Sequence, residues 1–197
     1  MSKAHVTGAH RSLVAAAMAV SLLMLMACSV DVKKDQEGED KNVDIRTPIG
    51  GIHVSKGADA GDTGLAVYPG ARLRTKNEHH DDNANVSLSF GDYGLNVVAV
   101  HYESDDSPDK VISFYKDQLQ RYGGVLECHT SQSDSNVGAT SGKDSDSDEL
   151  KCEDTGGNVL ELKAGTKHNQ RIVAIEPKGN ITRFALVRVQ IHGHDPI

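Results

Sequence analysis

Residues 107–122 restrict what this chain can become more than any other stretch. Ser107 suits an N-cap, Pro108 the first helical position and Asp109 the electropositive first turn. Arg121 falls in the last turn, and Gly123 stands where a C′ glycine ends a helix. Ile112, Tyr115, Leu119 and Tyr122 recur at i, i+3, i+7 and i+10, with Val111 and Phe114 widening the same apolar face. Such a helix must cover something, and its surroundings read as strands. Val86, Leu88 and Phe90 alternate with Ser87 and Ser89, a strand with one wet face. Residues 95–102 are apolar on both faces and fit a central strand. Residues 125–129, 150–153, 158–164, 171–176 and 182–191 complete the strands, with turn residues at 91–94, 155–157 and 177–180. Strands, one helix, then strands define an α+β fold: an antiparallel sheet with one main amphipathic helix across a face. Aromatic residues are only 4% of the chain and Trp is absent, so the core is mostly aliphatic.

The first 28 residues carry a different signal. Lys3 and Arg11 are positive, no acid accompanies them, and residues 13–26 form an apolar run broken only by Ser21. That run has the length of a signal-peptide core and is short for a membrane span of about 20 residues. It ends in Leu25-Met26-Ala27-Cys28, which resembles the lipobox of bacterial lipoproteins. Met26 is a less usual residue in the second-last position before the cysteine. The resemblance implies a diacylglycerol thioether on Cys28, removal of residues 1–27 and acylation of the new amine, as with palmitate. A thiolate is the nucleophile such lipid transfer requires. It also implies an outer-membrane destination facing the periplasm, because Ser29 rather than Asp follows the cysteine. Without that resemblance, the stretch reads as an ordinary secretory signal with a cysteine after it. Cleavage leaves 19 basic against 28 acidic residues, a net charge of −9. So acidic a chain is a poor partner for nucleic acid and for anionic membranes.

Residues 28–42 are highly charged and are expected to form a flexible tether. Residues 43–64 read as a small hairpin and linker, with Val43-Asp44-Ile45-Arg46 and Ile52-His53-Val54 alternating around a Pro/Gly turn. Whether that hairpin joins the main sheet is open at this level. The α+β domain is expected over 65–197, interrupted at 131–148, where 14 of 18 residues are Ser, Asp, Gly, Thr or Asn. That composition predicts a disordered insertion.

Three cysteines are present. With Cys28 lipidated, Cys128 and Cys152 remain, an even pair suited to a disulfide in an oxidising compartment. Pairing 125–129 with 150–153, the insertion as their loop, would set the two sulfurs opposite each other. The alternative, a metal site with His129, lacks the CxxC spacing of such sites. His79 and His80 in one polar stretch, and His192 and His194 at the end of the chain, are candidate metal ligands, since alternate strand residues point the same way. Their bland reading is a solvated loop and a frayed terminus. His101 beside Glu103 reads as a hydrogen-bonded sheet histidine. Glu127 and Glu153 flank the cysteines on what should be the wet strand face. No G-x-S-x-G, H-E-x-x-H, P-loop or dinucleotide pattern occurs, so neither an enzyme nor a resident cofactor is expected.

Tyr68-Pro69-Gly70-Ala71, followed by Ser107-Pro108, Lys110-Val111, Phe114-Tyr115, Leu119 and Gly123, resembles a pattern in uncharacterised bacterial envelope lipoproteins. The likeness covers about residues 65–125. It implies a compact α+β domain and no assigned activity. The expected function is therefore that of a lipid-anchored envelope interaction or structural module, with the membrane and an envelope protein as partners. A small-ligand or metal-binding module is the alternative, and a hydrolase follows behind it.

Overall fold

The computed structural model describes residues 29–34, 40–77, 80–81, 83–131, 148–152 and 156–193. The strands in chain order are β1 (Ser29–Lys34), β2 (Asp40–Thr47), β3 (Gly50–Lys56), β4 (Arg72–Leu73), β5 (Thr75–Asn77), β6 (His80–Asp81), β7 (Ala84–Phe90), β8 (Tyr93–Ser104), β9 (Leu126–Thr130), β10 (Val159–Thr166), β11 (Asn169–Lys178) and β12 (Ile181–His192). Two helices accompany them, α1 (Ala60–Thr63) and α2 (Pro108–Leu119), the latter prolonged by a 3-10 turn at Gln120–Tyr122. The large sheet runs β1-β2-β3-β7-β8-β12-β11-β10-β9, with β4 added beside β8. Every pairing is antiparallel. The fold is α+β, as the sequence pattern predicts.

The topology is two meanders joined at one seam. Strands β1 to β8 form the first and β9 to β12 the second, and the seam is β8 against β12, from Ser104↔Thr182 to Gly94↔His192. Because neighbours alternate in direction, β8 and β9 run the same way at opposite sides of three strands. Helix α2 carries the chain across that gap and buries its stripe on the way. Val111, Tyr115 and Leu119 are each 0% exposed. They pack on Val98, Val100 and Tyr102 of β8, Phe184 and Leu186 of β12, Val173 and Ile175 of β11, and Leu162 of β10. The centre of the stripe is therefore the 111–115–119 line, with Ile112, Phe114 and Tyr122 half-buried at its flanks. The sequence spacing alone puts Ile112 on the central line. One residue of helical rotation separates the two, and the line with i+4 spacing is the one the sheet covers. Ser107 has the extended backbone of an N-cap without a side-chain cap bond, and its carbonyl accepts from Lys110 N at 3.1 Å.

Three expectations are corrected. Ser29–Lys34 is not tether but edge strand, with Val30↔Ile45 and Val32↔Val43 in register on β2. Its alternation spans only two valines among charges, too short a signal without knowledge of the partner. The 55–64 linker contains α1, whose Asp59 side chain accepts from Asp62 N while Asp62 answers on Asp59 N, a reciprocal cap. Residues 150–152 are not strand. The partner of β9 is β10, from Val159↔Thr130 to Lys163↔Leu126, and that longer apolar segment takes the ladder the short one was expected to fill. The hairpin β2–β3, in turn, joins the main sheet through β7, with Ile52↔Leu88 and Val54↔Val86.

The Tyr68-Pro69-Gly70-Ala71 segment is a hydrogen-bonded turn. Ala71 N donates to Tyr68 O at 3.0 Å, and Gly70 takes φ +77° after a proline, the geometry of a type II turn. The turn sets Tyr68 edge-on to Phe114, with ring centroids 5.3 Å apart, and points its backbone N–H at Tyr115 Oη, 3.0 Å away. Residues 68–71 and the helix residues Phe114 and Tyr115 thus meet in the core.

Candidate functional site

The sheet has two faces of opposite use. Alternation puts the helix-facing residues of β8 and β12 on the same side as Asp31, Asp44, His53, Ser87 and Asn96 of the uncovered half. Asp31↔Asp44, Asp44↔His53, His53↔Ser87 and Ser87↔Asn96 follow one another in register, a polar row crossing five strands. At its outer end lies a groove of about 360 Å³ lined by Ser29, Val30, Asp31, Asn42, Asp44, Arg46 and His53.

Asp44 is the centre of the groove. Arg46 grips it with a fork, Nε to Oδ1 and Nη2 to Oδ2, both 3.0 Å. His53 Nδ1 stands 3.5 Å from Oδ2. The Arg46 hydrogen bond holds the Asp44 carboxyl below its ordinary range, with further Coulombic help from Arg46 and His53. Farther in, Asn96 Nδ2 donates to Asn85 Oδ1 and Ser87 Oγ, 2.8 Å each, and Arg188 Nη2 donates to Asn96 Oδ1 at 3.3 Å. The row continues to Arg171, opposite Arg188, whose guanidinium lies 4.8 Å from the Tyr122 ring centroid. Tyr122 Oη closes the line by donating to Gly64 O at 2.6 Å. A carboxylate, a guanidinium and an imidazole on one open strand face suit reversible recognition of a polar ligand, since each group is within reach of solvent.

Neither Asp44 nor His53 stood out as a site residue in the sequence, and Asp31 fell in the presumed tether. The alternation in 43–46 and 52–54 marks one wet face, but not which strands lie beside it. The sequence-predicted residues fare differently. Cys128 and Cys152 form a disulfide, with S–S 2.00 Å and Cα–Cα 5.4 Å. Cys28, His79, His194 and Glu153 lie outside the described residues. His80 belongs to β6, and His192 is exposed at the end of β12 opposite Gly94. Among the described residues no group of three or more His, Cys, Asp or Glu is placed to hold a metal ion. His101 is half-buried in β8, and its backbone N–H donates to the buried Asn83 Oδ1 at 2.9 Å. Glu127 turns to the helix and pairs with Lys116 Nζ at 2.7 Å.

The fold and groove together define an α+β protein: an open antiparallel sheet with a helix over half of one face and a polar groove on the other half. No family model, no curated protein and no solved structure matches the chain. Among the described residues, no helix is long and apolar enough to cross a membrane.

Proposed function

We propose that this chain is a lipid-anchored protein of a bacterial cell envelope, held at a membrane through acyl chains on Cys28, whose folded part is an interaction module without catalytic activity. The reading is carried by the Cys128–Cys152 disulfide, downstream of a third cysteine that closes an apolar leader. Disulfides of this kind belong to oxidising compartments. The leader supplies a route there, and Leu25-Met26-Ala27-Cys28 supplies a place to stop. Ser29 after the cysteine favours the outer membrane and its periplasmic side. The groove around Asp44 supports a polar segment of an envelope protein as the partner.

Mass spectrometry of the protein extracted from bacterial membranes tests the anchor. The expected mass is that of residues 28–197 plus acyl groups, less two hydrogens for the disulfide. A mature chain with an unmodified Cys28 overturns the reading. The second reading, a small-ligand module, draws on Asp31, Asp44 and His53 sharing the groove. A melting temperature unchanged across small polar ligands removes it.

A further inference from the structure

We propose that one corner of the sheet, formed by Val30, Ile52 and Phe90 with Ile49 at the adjoining turn, lies in the interface of the bilayer that holds the lipid on Cys28. The inference rests on the anchored reading above and adds to it a second contact.

The first observation is where β1 begins. Ser29 opens it and pairs with Arg46, one residue before the β2–β3 turn. Consecutive Cα atoms are about 3.8 Å apart, so a lipidated Cys28 stands within one residue of folded sheet. No spacer lifts this end away from the membrane.

The second observation is what that end exposes. The β2–β3 turn and the β7–β8 turn lie side by side there, with Gly91 N donating to Ile49 O at 3.0 Å. Val30, Ile45, Ile52 and Leu88 follow one another in register across four strands, and Phe90, opposite Gly50, shares their face. This is the side of the sheet away from α2. Val30 and Ile49 are each 65% exposed, Phe90 48% and Ile52 40%. Only seven large hydrophobic residues are exposed among those described, and four of them are these. A contiguous exposed apolar patch marks an interaction surface.

The third observation is the contrast along the strands. The opposite end of the sheet is charged. Arg72 bridges Asp105 at 2.7 Å and Glu103 at 3.5 Å, Lys110 bridges Asp106 at 2.6 Å, and Lys178 bridges Glu176 at 3.8 Å. Arg183 sits in register between Glu103 and Glu176. On the face away from α2 the sheet is thus apolar at the corner where the anchor joins and charged at the far end, while the charged groups of the groove occupy the other face. A mature charge of −9 gives anionic headgroups no attraction, so the contact is made by side chains entering the headgroup and acyl boundary.

The absence of Trp makes the test direct. F90W and I49W each place a single reporter in the corner of the mature, lipidated protein. V67W places one on another exposed hydrophobic, next to Tyr68, whose hydroxyl donates to Asp106 at the charged end. Each protein is reconstituted in phosphatidylcholine vesicles with or without brominated acyl chains, and far-UV circular dichroism verifies the fold. Bromination is expected to cut F90W and I49W emission about twofold and to leave V67W unchanged, because only a ring within the outer acyl region meets bromine. Equal quenching at all three positions overturns the contact. So does a blue-shifted but unquenched F90W, which places a second copy of the chain on the corner. The mass of the same preparations separates the two readings. Acylated Cys28 with no quenching leaves the anchor standing and removes the contact, whereas an unacylated Cys28 removes both.

Discussion

Deleting one oxygen atom, by Tyr115→Phe, tests how the Tyr68 turn is held. Tyr115 is fully buried, and its Oη accepts the backbone N–H of Tyr68 at 3.0 Å. Burial pushes its hydroxyl pKa well above the ordinary value. Phenylalanine keeps the ring against Phe114 and Phe184 but withdraws the acceptor. A buried donor without a partner costs about 1–3 kcal/mol. At roughly 3 °C per kcal/mol for a domain of this size, the melting temperature should fall by about 3–9 °C. Hydrogen exchange adds a local readout: the Tyr68 amide should lose protection before those of β12. Tyr122→Phe is the control, because it removes a hydroxyl whose partner, Gly64 O, can turn to water. Its effect should be clearly smaller. Equal shifts for the two variants, or no shift for Tyr115→Phe, would refute the reasoning that the turn's N–H depends on Tyr115.

Two further outcomes follow from the structure. Asp106 receives Lys110 Nζ at 2.6 Å and the Tyr68 hydroxyl at 3.0 Å, and these hold its carboxyl below the ordinary 3.8. A depressed folded value means that the contribution is complete above the unfolded value and is lost as pH falls through the folded one. Melting temperature should therefore drop below about pH 4, and Asp106→Asn should flatten that acid slope. Reducing Cys128–Cys152, or replacing both cysteines by Ser, opens a loop with a sequence separation of 24 and should cost about 3 kcal/mol in urea unfolding.

The two faces of the sheet differ in how well they could be read. Helix α2 carries its signals within sixteen consecutive residues, and a cap, a proline and a stripe point to one structure. The long strands β8, β11 and β12 are likewise self-announcing, being rich in Val and Ile. The disulfide was legible as arithmetic, although the strand invoked to align it does not form. The groove was not legible, because Asp31, Asp44 and His53 come together only through the β1–β2–β3 register. Val30 and Val32 illustrate the difficulty. Two apolar residues among Asp and Lys look like solvated chain until Ile45 and Val43 are placed opposite them. Short elements such as α1 depend on similar context, since its cap is visible as Asp59-x-x-Asp62 but four residues form a helix only when Ala60 and Thr63 have a core to enter.

The seam between β8 and β12 sets an order of events as well as a shape. The strand at the middle of the sheet is the last one made, and its contacts reach back by nearly a hundred residues at Gly94↔His192. For a chain that emerges N-terminus first, each meander can form hairpins early, yet α2 has no complete floor until residues 181–192 arrive. Closing so long a loop is slow. Until that pairing forms, the stripe of α2 has only part of the surface that it covers in the finished fold. The final strand pairs with β8 on one side and β11 on the other, so its arrival joins the two halves of the core at once.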